Sequence, residues 1–508
     1  MLNRITQVWL LLLALGIALW WGTRFEIEGH SFQVLGPVNQ ELVGRYYLPN
    51  DTQSPYPTVI LCHGISSQKE TMEPLALELA NQGIAAVTFD FGGQGESYPR
   101  EISQADNQTD LEQIMAWVKK QRIFDPMRLG LAGHSMGGTT ALIYGSGDPK
   151  IRATVLLGIG GEATPDTPNN FMVGIGVYEQ LNPVPVTQAL FNAAISPRSN
   201  FVKGTARNLV ISTTSEHANA PYDPELIAQT VQWMHQALGL PPHQVNIRGQ
   251  WQIVGLGLIY LAGIGLGTGV YQWVARKSKD KILLLLILVG FVLTQFQGAM
   301  GGYFILWVLP VVLLAHFCQR YQASHLRTIA LYGGVFYLMY SVSLVAHGLF
   351  SGSLIRVPTG FLGFPILLLY LPFGISYNLF FLLLHKLNHG QAWVWIMFLI
   401  LWGGELLRPG IVLHLGDWLI RGGAAWIRQP FNLQWRRPSN LALISLPIAL
   451  GILGVLAWQQ WQAGFFTGEA FVFAANILGF FVVLPVGLTL GILRSSWFVG
   501  LETRLEGD

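Results

Sequence analysis

Apolar residues are arranged in two ways along this chain, and the change falls near residue 250. Before it they form short runs that stop at Gly, His, Asp or Thr: Thr58–Gly64, Ile84–Asp90, Arg128–Gly133, Ala153–Gly158, Asn170–Gly176 and Asn208–Thr214. Continuous apolar runs of this length suit strands of a parallel sheet buried on both faces. Helix-compatible stretches lie between them. Lys69–Gln82 carries Met72, Leu75, Leu77 and Leu79 for packing on a sheet, with Ser66 or Ser67 as its cap, and a capped helix begins around Asp223-Pro224-Glu225.

After residue 250 the runs lengthen to membrane dimensions, since a helix needs roughly 20 apolar residues to cross the hydrocarbon core. Trp251–Val274, Ile282–Phe317 (a pair broken at Gly298–Gly302), Thr328–Phe350, Phe361–Leu384, Gln391–Trp402, Leu441–Trp461 and Ala470–Leu493 are the expected spans. Gln7–Trp21, behind Arg4, reads as a retained signal anchor, because it lacks an Ala-x-Ala cleavage pattern and ends in Trp20-Trp21. The expected organisation is an anchor (1–24), an α/β domain (25–240), a linker (241–250) and a multi-pass all-α transmembrane helix bundle (251–508).

Composition agrees with this division. The chain of 508 residues is 51% hydrophobic and only 11% charged, and its mean hydropathy is +0.41. From Phe25 to Arg248 there are 21 Asp and Glu against 13 Lys and Arg; from Gly249 onward there are 7 against 15. The basic residues sit in short clusters between apolar runs, so no nucleic acid partner is expected. Arg4 and the cluster Arg276–Lys281 each flank an apolar run, and the positive-inside rule then exports the domain between them. Arg408, Arg421, Arg428, Arg436 and Arg437 would fall outside if every run crossed, which leaves the number of spans open. Glu405, Arg408, His414, Asp417 and Arg421 read as an interfacial helix in preference to a polar site within the membrane.

The chemistry is concentrated in Gly133-His134-Ser135-Met136-Gly137, which follows an apolar run and enters a helix-compatible segment. A serine on a sharp strand-to-helix turn needs small neighbours two residues away on each side, and Gly133 and Gly137 meet that need. Upstream, Thr58–Gly64 ends in His63-Gly64, and Phe91–Ser97 is a glycine-rich turn. In this order the motifs of residues 25–240 resemble the α/β-hydrolase family, which implies a mostly parallel sheet with helices on both faces.

The resemblance implies a serine esterase or lipase-like enzyme with Ser135 as nucleophile, His217 as base and Glu179 as the acid that orients it, where most relatives carry Asp. It also implies an oxyanion hole formed by the N–H groups of Ile65 and Met136. His63 is expected to pack or act indirectly at the oxyanion loop, and His134 to pack. Glu162, Asp166 and Glu216 are rival acids. The short loop Gly160–Pro168 leaves no room for the helical lid of many relatives, and Asn182–Pro197 is expected to wall the pocket. Cys62 and Cys318 are not expected to pair, and no metal-ligand spacing, phosphate loop or cofactor motif is present. A membrane-bound hydrolase acting on an ester or thioester of a small-molecule or lipid acyl substrate is therefore expected, with membrane lipids around it. An acyltransferase is the nearest variant, and a transporter carrying a hydrolase-fold sensing module is the reading from another class.

Overall fold

The computed structural model describes residues 4–23, 26–36, 40–50, 54–65, 67–100, 103–195, 199–241, 247–278, 323–369, 371, 479–480, 484–493 and 495–507. The chain divides into two compact units, Met1–Gly263 with Gly348–His389, and Ile264–His347 with Gly390–Asp508.

The first unit is built on an eight-stranded sheet of order β1-β2-β4-β3-β5-β6-β7-β8. β1 (Gly29–Leu35) and β2 (Glu41–Tyr47) pair antiparallel at one edge, and β2 joins β4 (Ala85–Phe89) antiparallel. The other five are parallel with β4: β3 (Tyr56–Cys62), β5 (Phe124–His134), β6 (Ile151–Leu157), β7 (Phe171–Gly176) and β8 (Arg207–Ser212). Every residue of β4 and β7 is buried, as the unbroken apolar runs require when both faces are covered.

Helices cover the two faces. On one lie α2 (Glu73–Asn81) and α6 (Pro224–Ala237), where Leu75, Leu79, Leu226 and Met234 meet Val59, Leu61 and Val155. On the other lie α3 (Gln104–Lys120), α4 (Met136–Gly147) and α5 (Val184–Ala194), where Leu111, Ile114, Ala141 and Leu190 meet Ile60, Leu131 and Leu156. Alternate residues of one strand thus serve two cores, the pleat dividing them.

The helix expected over Lys69–Gln82 is split, and Ser67 does not cap it; Ser66 lies outside the described residues. Lys69–Met72 is a 3-10 turn with Gln68 before it, α2 begins at Glu73, and the Ser67 hydroxyl is bonded to that of Thr71. Asp90 does the work expected of the serine: its Oδ1 accepts the Lys69 N–H at 2.6 Å and its Oδ2 accepts Nζ at 2.7 Å. Burial opposes the Lys69 charge, but Asp90, Glu70 and Glu96 outweigh it and raise its pKa. This ion pair ties the end of β4 to the loop after β3. The cap expected at Asp223 is present, with Oδ1 accepting from Glu225 and Leu226 N–H, both at 3.0 Å.

One apolar helix and the first part of another also belong to this unit. In α1 (Arg4–Gly22) and α7 (Gly249–Ser278), a Cβ placed on Gly16 would meet Gly255 O at 2.9 Å, and one on Gly255 would meet Trp20 N at 2.7 Å. Gln252 Nε2 donates to Thr23 O at 2.9 Å, so the two helices run antiparallel from a shared end. Among the described residues no helix is long and apolar enough to cross a membrane. Ile282–Phe317, Gln391–Trp402, Leu441–Trp461 and the polar set from Glu405 to Arg421 lie outside the described residues, as does Cys318.

The second unit contains most of α8 (Ala323–Phe350), with α10 (Leu484–Leu493) and α11 (Ser496–Gly507). After α8 the chain forms the single turn α9 (Ser353–Arg356) and a helical stretch over 360–369, both within the first unit.

Candidate active site

The C-terminal ends of β3, β5, β7 and β8 bring the candidate residues together. Ser135 stands between β5 and α4 with φ 51° and ψ −121°, a conformation that a non-glycine residue adopts only where the surroundings enforce it. The flanking glycines make that turn possible. A Cβ on Gly133 would meet Gly137 O at 2.3 Å, and one on Gly137 would meet Cys62 O and His63 O, both at 2.4 Å.

His217 follows β8 and lies between the other two groups. Its Nε2 is 3.1 Å from Ser135 Oγ and its Nδ1 is 2.7 Å from Glu179 Oε1. Glu179 is fully buried in the turn after β7. Its Oε1 also accepts the Leu181 N–H at 2.9 Å and the Asn182 N–H at 3.1 Å. Those two amides fix the side chain, so that the glutamate holds the imidazole from its full length. Glu179 Oε2 has no hydrogen-bond partner among the described residues.

Burial lowers the His217 pKa, but the Glu179 charge and hydrogen bond, with a further contribution from Glu216, raise it above the ordinary 6.5 overall. The ring therefore donates from Nδ1 to the carboxylate, and its free Nε2 faces the serine hydroxyl. Such an arrangement can take a proton from Ser135 and hold it as imidazolium.

The three rival acids do not reach this ring nitrogen. Glu162 and Asp166 are exposed. Glu216 is buried, and its carboxylate accepts the Asn219 N–H at 2.8 Å and Gln180 Nε2 at 3.1 Å. Gln180 in turn accepts the His217 N–H at 3.1 Å. Glu216 thus shapes the loop that carries His217.

Both other histidines do more than pack. His134 Nε2 donates to His217 O at 2.8 Å, and burial drives its pKa down to about 3, which keeps it neutral. His63 Nδ1 donates to Gly64 O at 2.7 Å while its Nε2 accepts the Phe91 N–H at 3.1 Å. Burial holds His63 below the ordinary histidine range, so this neutral tautomer persists.

The Gly64–Ile65 peptide is planar and trans, so the Ile65 N–H points opposite to the carbonyl that His63 holds. A Cβ on Gly64 would lie 3.3 Å from Ser135 Cβ, which places this peptide beside the serine. Met136 is the first residue of α4, and its N–H belongs to the first turn, where no intrahelical acceptor is available. Gln180 was not assigned a role from the sequence, His134 was expected only to pack and Asn182 only to begin a pocket wall; the adjacent Glu179 and Ser135 were the pointers to Gln180 and His134.

No group of three or more His, Cys, Asp or Glu is gathered to hold a metal ion among the described residues. Cys62 is free and buried, and burial pushes its thiol pKa up.

Comparisons with known proteins bear on this region alone. An uncharacterized 31.7 kDa protein of the traX-finO intergenic region of Escherichia coli is 31% identical over 103 residues, 20% of this chain and 36% of that one. The 2,6-dihydropseudooxynicotine hydrolase of Paenarthrobacter nicotinovorans is 28% identical over 104 residues, 20% of this chain and 28% of that one. Esterase FrsA of Yersinia enterocolitica serotype O:8 / biotype 1B is 28% identical over 119 residues, 23% of this chain and 28% of that one. The chain thus spans about a third of the length of the curated relatives it matches. Among solved structures, a serine hydrolase without lid from Xanthomonas campestris aligns at 21% identity and TM-score 0.33, over 43% of this chain and 98% of that one. Residues 53–237 match the family model described as Hydrolase_4: Serine aminopeptidase, S33, and the sheet order and the serine turn above are those of the α/β-hydrolase fold.

Proposed function

We propose that this protein is a membrane-attached serine hydrolase that cleaves a carboxylic ester or thioester through a Ser135–His217–Glu179 triad. The observation that carries the reading is the single imidazole within hydrogen-bond reach of both a strained serine and a buried carboxylate. Ser135 Oγ attacks the acyl carbonyl as His217 Nε2 takes its proton, and the Ile65 and Met136 N–H groups hold the oxyanion. Collapse returns that proton to the leaving oxygen or sulfur and leaves an acyl-serine. Water then repeats the sequence, and Ser135 is released with the free acid. Half-exposed Ile65 and Val186 offer apolar surface from the oxyanion loop and from α5, which suits an aliphatic acyl group. The purified full chain is expected to hydrolyse p-nitrophenyl esters and acyl thioesters; a preparation of Ser135→Ala that hydrolyses them equally well would contradict the reading.

In this mechanism His63 is a positioning residue, acting through the Gly64–Ile65 peptide. His63→Leu is expected to lower kcat roughly tenfold to 100-fold with little change in KM, less than the loss of a whole oxyanion donor. An unchanged kcat per folded molecule would remove His63 from the mechanism.

Membrane attachment and export are part of the same proposal. They are supported by the length of the apolar runs in the sequence, by Arg4 and the cluster Arg276–Lys281 flanking two of those runs along the chain, and by the glycine contact between α1 and the first part of α7. Small residues at a helix crossing let backbones approach closely, the usual basis of association in lipid. A membrane-impermeant thiol reagent should reach a cysteine replacing exposed Ala105 in intact cells, and one replacing Ser278 only after permeabilisation. The opposite pattern would put the hydrolase domain in the cytoplasm.

A further inference from the structure

The acid-bearing turn is held by chain from far beyond the hydrolase domain. Glu179 lies between two contacts with the segment 351–363. On one side the Tyr178 hydroxyl, fully buried, donates to Gly360 O at 3.1 Å across 182 residues of sequence. On the other the Val184 N–H donates to Ser353 Oγ at 3.2 Å across 169 residues. Val184 is the first residue of α5, whose own preceding residue, Pro183, offers no side-chain cap. Ser353 therefore supplies from a distance the acceptor that a local serine or aspartate would supply.

Packing reinforces both bonds. A Cβ on Gly360 would meet Val177 Cγ1 at 2.8 Å, and the Tyr178 ring lies 5.3 Å from that of Phe364. The same segment reaches the loop that bears the base, where a Cβ on Gly363 would meet Thr213 O at 2.1 Å. Residues 177, 178 and 184 thus bracket Glu179, residue 213 opens the loop that bears His217, and one short segment contacts all four.

We infer that residues 351–363 form a strap that positions Glu179 against His217, with Tyr178 and Ser353 as its positioning residues. The inference rests on the triad reading, since it assigns the strap a role in setting the contact between acid and base. The strap touches neither reacting atom. It restrains the turn 177–184 from both ends, so that Oε1 stays on the Leu181 and Asn182 amides and on His217 Nδ1 together.

Tyr178→Phe removes the donor of one strap contact, and Ser353→Ala removes the acceptor of the other. Each is expected to lower kcat roughly threefold to tenfold, the effect of one net hydrogen bond expressed in the rate, with KM unchanged. Each should also move the acidic limb of the kcat/KM profile toward lower pH, because a looser carboxylate raises the His217 pKa less. Ser353→Thr, which keeps the oxygen, should restore the wild-type limb relative to Ser353→Ala. A fall in Tm with kcat per folded molecule and the limb both unchanged would make the contacts structural only and overturn the inference. The readings separate on one control: if Ser135→Ala retains activity the triad reading fails, whereas if Ser135→Ala is inactive and both strap variants match wild type, only the strap fails.

Discussion

Ser135→Ala is expected to lower kcat for p-nitrophenyl ester hydrolysis by roughly 10^6-fold while leaving the protein folded. The substitution deletes only Oγ and keeps the Cβ, so it adds no strain at φ 51°. His217 Nε2, 3.1 Å from that oxygen, is left with no hydroxyl to deprotonate. A residual rate above water persists from substrate binding and the oxyanion donors. An equal melting temperature for variant and wild type would assign the loss to chemistry, and a loss under tenfold would move the nucleophile elsewhere.

The second large effect belongs to Glu179. Glu179→Gln is expected to lower kcat by roughly 10^2-fold to 10^4-fold, the upper end being the loss when both charge and tautomer fail. Here the Leu181 and Asn182 N–H groups hold Oε1 in place, so a glutamine can keep its oxygen toward His217. The loss then reports chiefly the missing charge, which no longer stabilises the imidazolium.

The pH profile gives an independent check. His217 titrates above the ordinary histidine value because Glu179 outweighs burial, and the base must be neutral to act. The acidic limb of kcat/KM therefore lies above that value in the wild type and moves down in Glu179→Gln. The same linkage affects stability with a definite sign. A raised folded-state pKa contributes stability that is full below the unfolded-state pKa and is lost as pH rises through the folded-state value. The Tm advantage of wild type over Glu179→Gln should accordingly shrink across that window. Glu162→Gln and Asp166→Asn, at exposed positions, should leave both profiles unchanged.

The parallel half of the sheet and the serine turn were legible because burial on two faces and a strained turn leave strong marks on sequence. β3 to β8 are apolar runs, and Gly133 and Gly137 are imposed by backbone contacts of 2.3 and 2.4 Å. The edge pair β1 and β2 was not read, since five of the seven β1 residues are exposed and the strand has no apolar run to mark it. α3 was missed for its polar surface, although Leu111, Ile114, Met115 and Val118 repeat at helical spacing and were a usable signal.

Long-range supports were beyond reach for a different reason. The cap of the Lys69 turn comes from Asp90, 21 residues on, and the cap of α5 from Ser353, 169 residues on; no local pattern encodes either. The strap follows the expected span Thr328–Phe350 and runs into the start of the expected span Phe361–Leu384, which packs on the hydrolase domain at Gly363 and Phe364. Hydropathy alone made residues 361–369 the beginning of a span. It reads transfer into any apolar surroundings, and Leu367 finds them in protein whereas Leu362, Ile366 and Leu369 stay exposed.

The central claim, that His217 and Glu179 activate Ser135 for attack on an acyl carbonyl, is tested most directly by a fluorophosphonate probe. Purified full-length protein would be labelled, digested and mapped by mass spectrometry, with Ser135→Ala and His217→Ala alongside. The account predicts one probe adduct, on the peptide containing Ser135, absent from Ser135→Ala and strongly slowed in His217→Ala. Ester hydrolysis by a protein whose adduct maps to another serine, or which remains unlabelled, would contradict it.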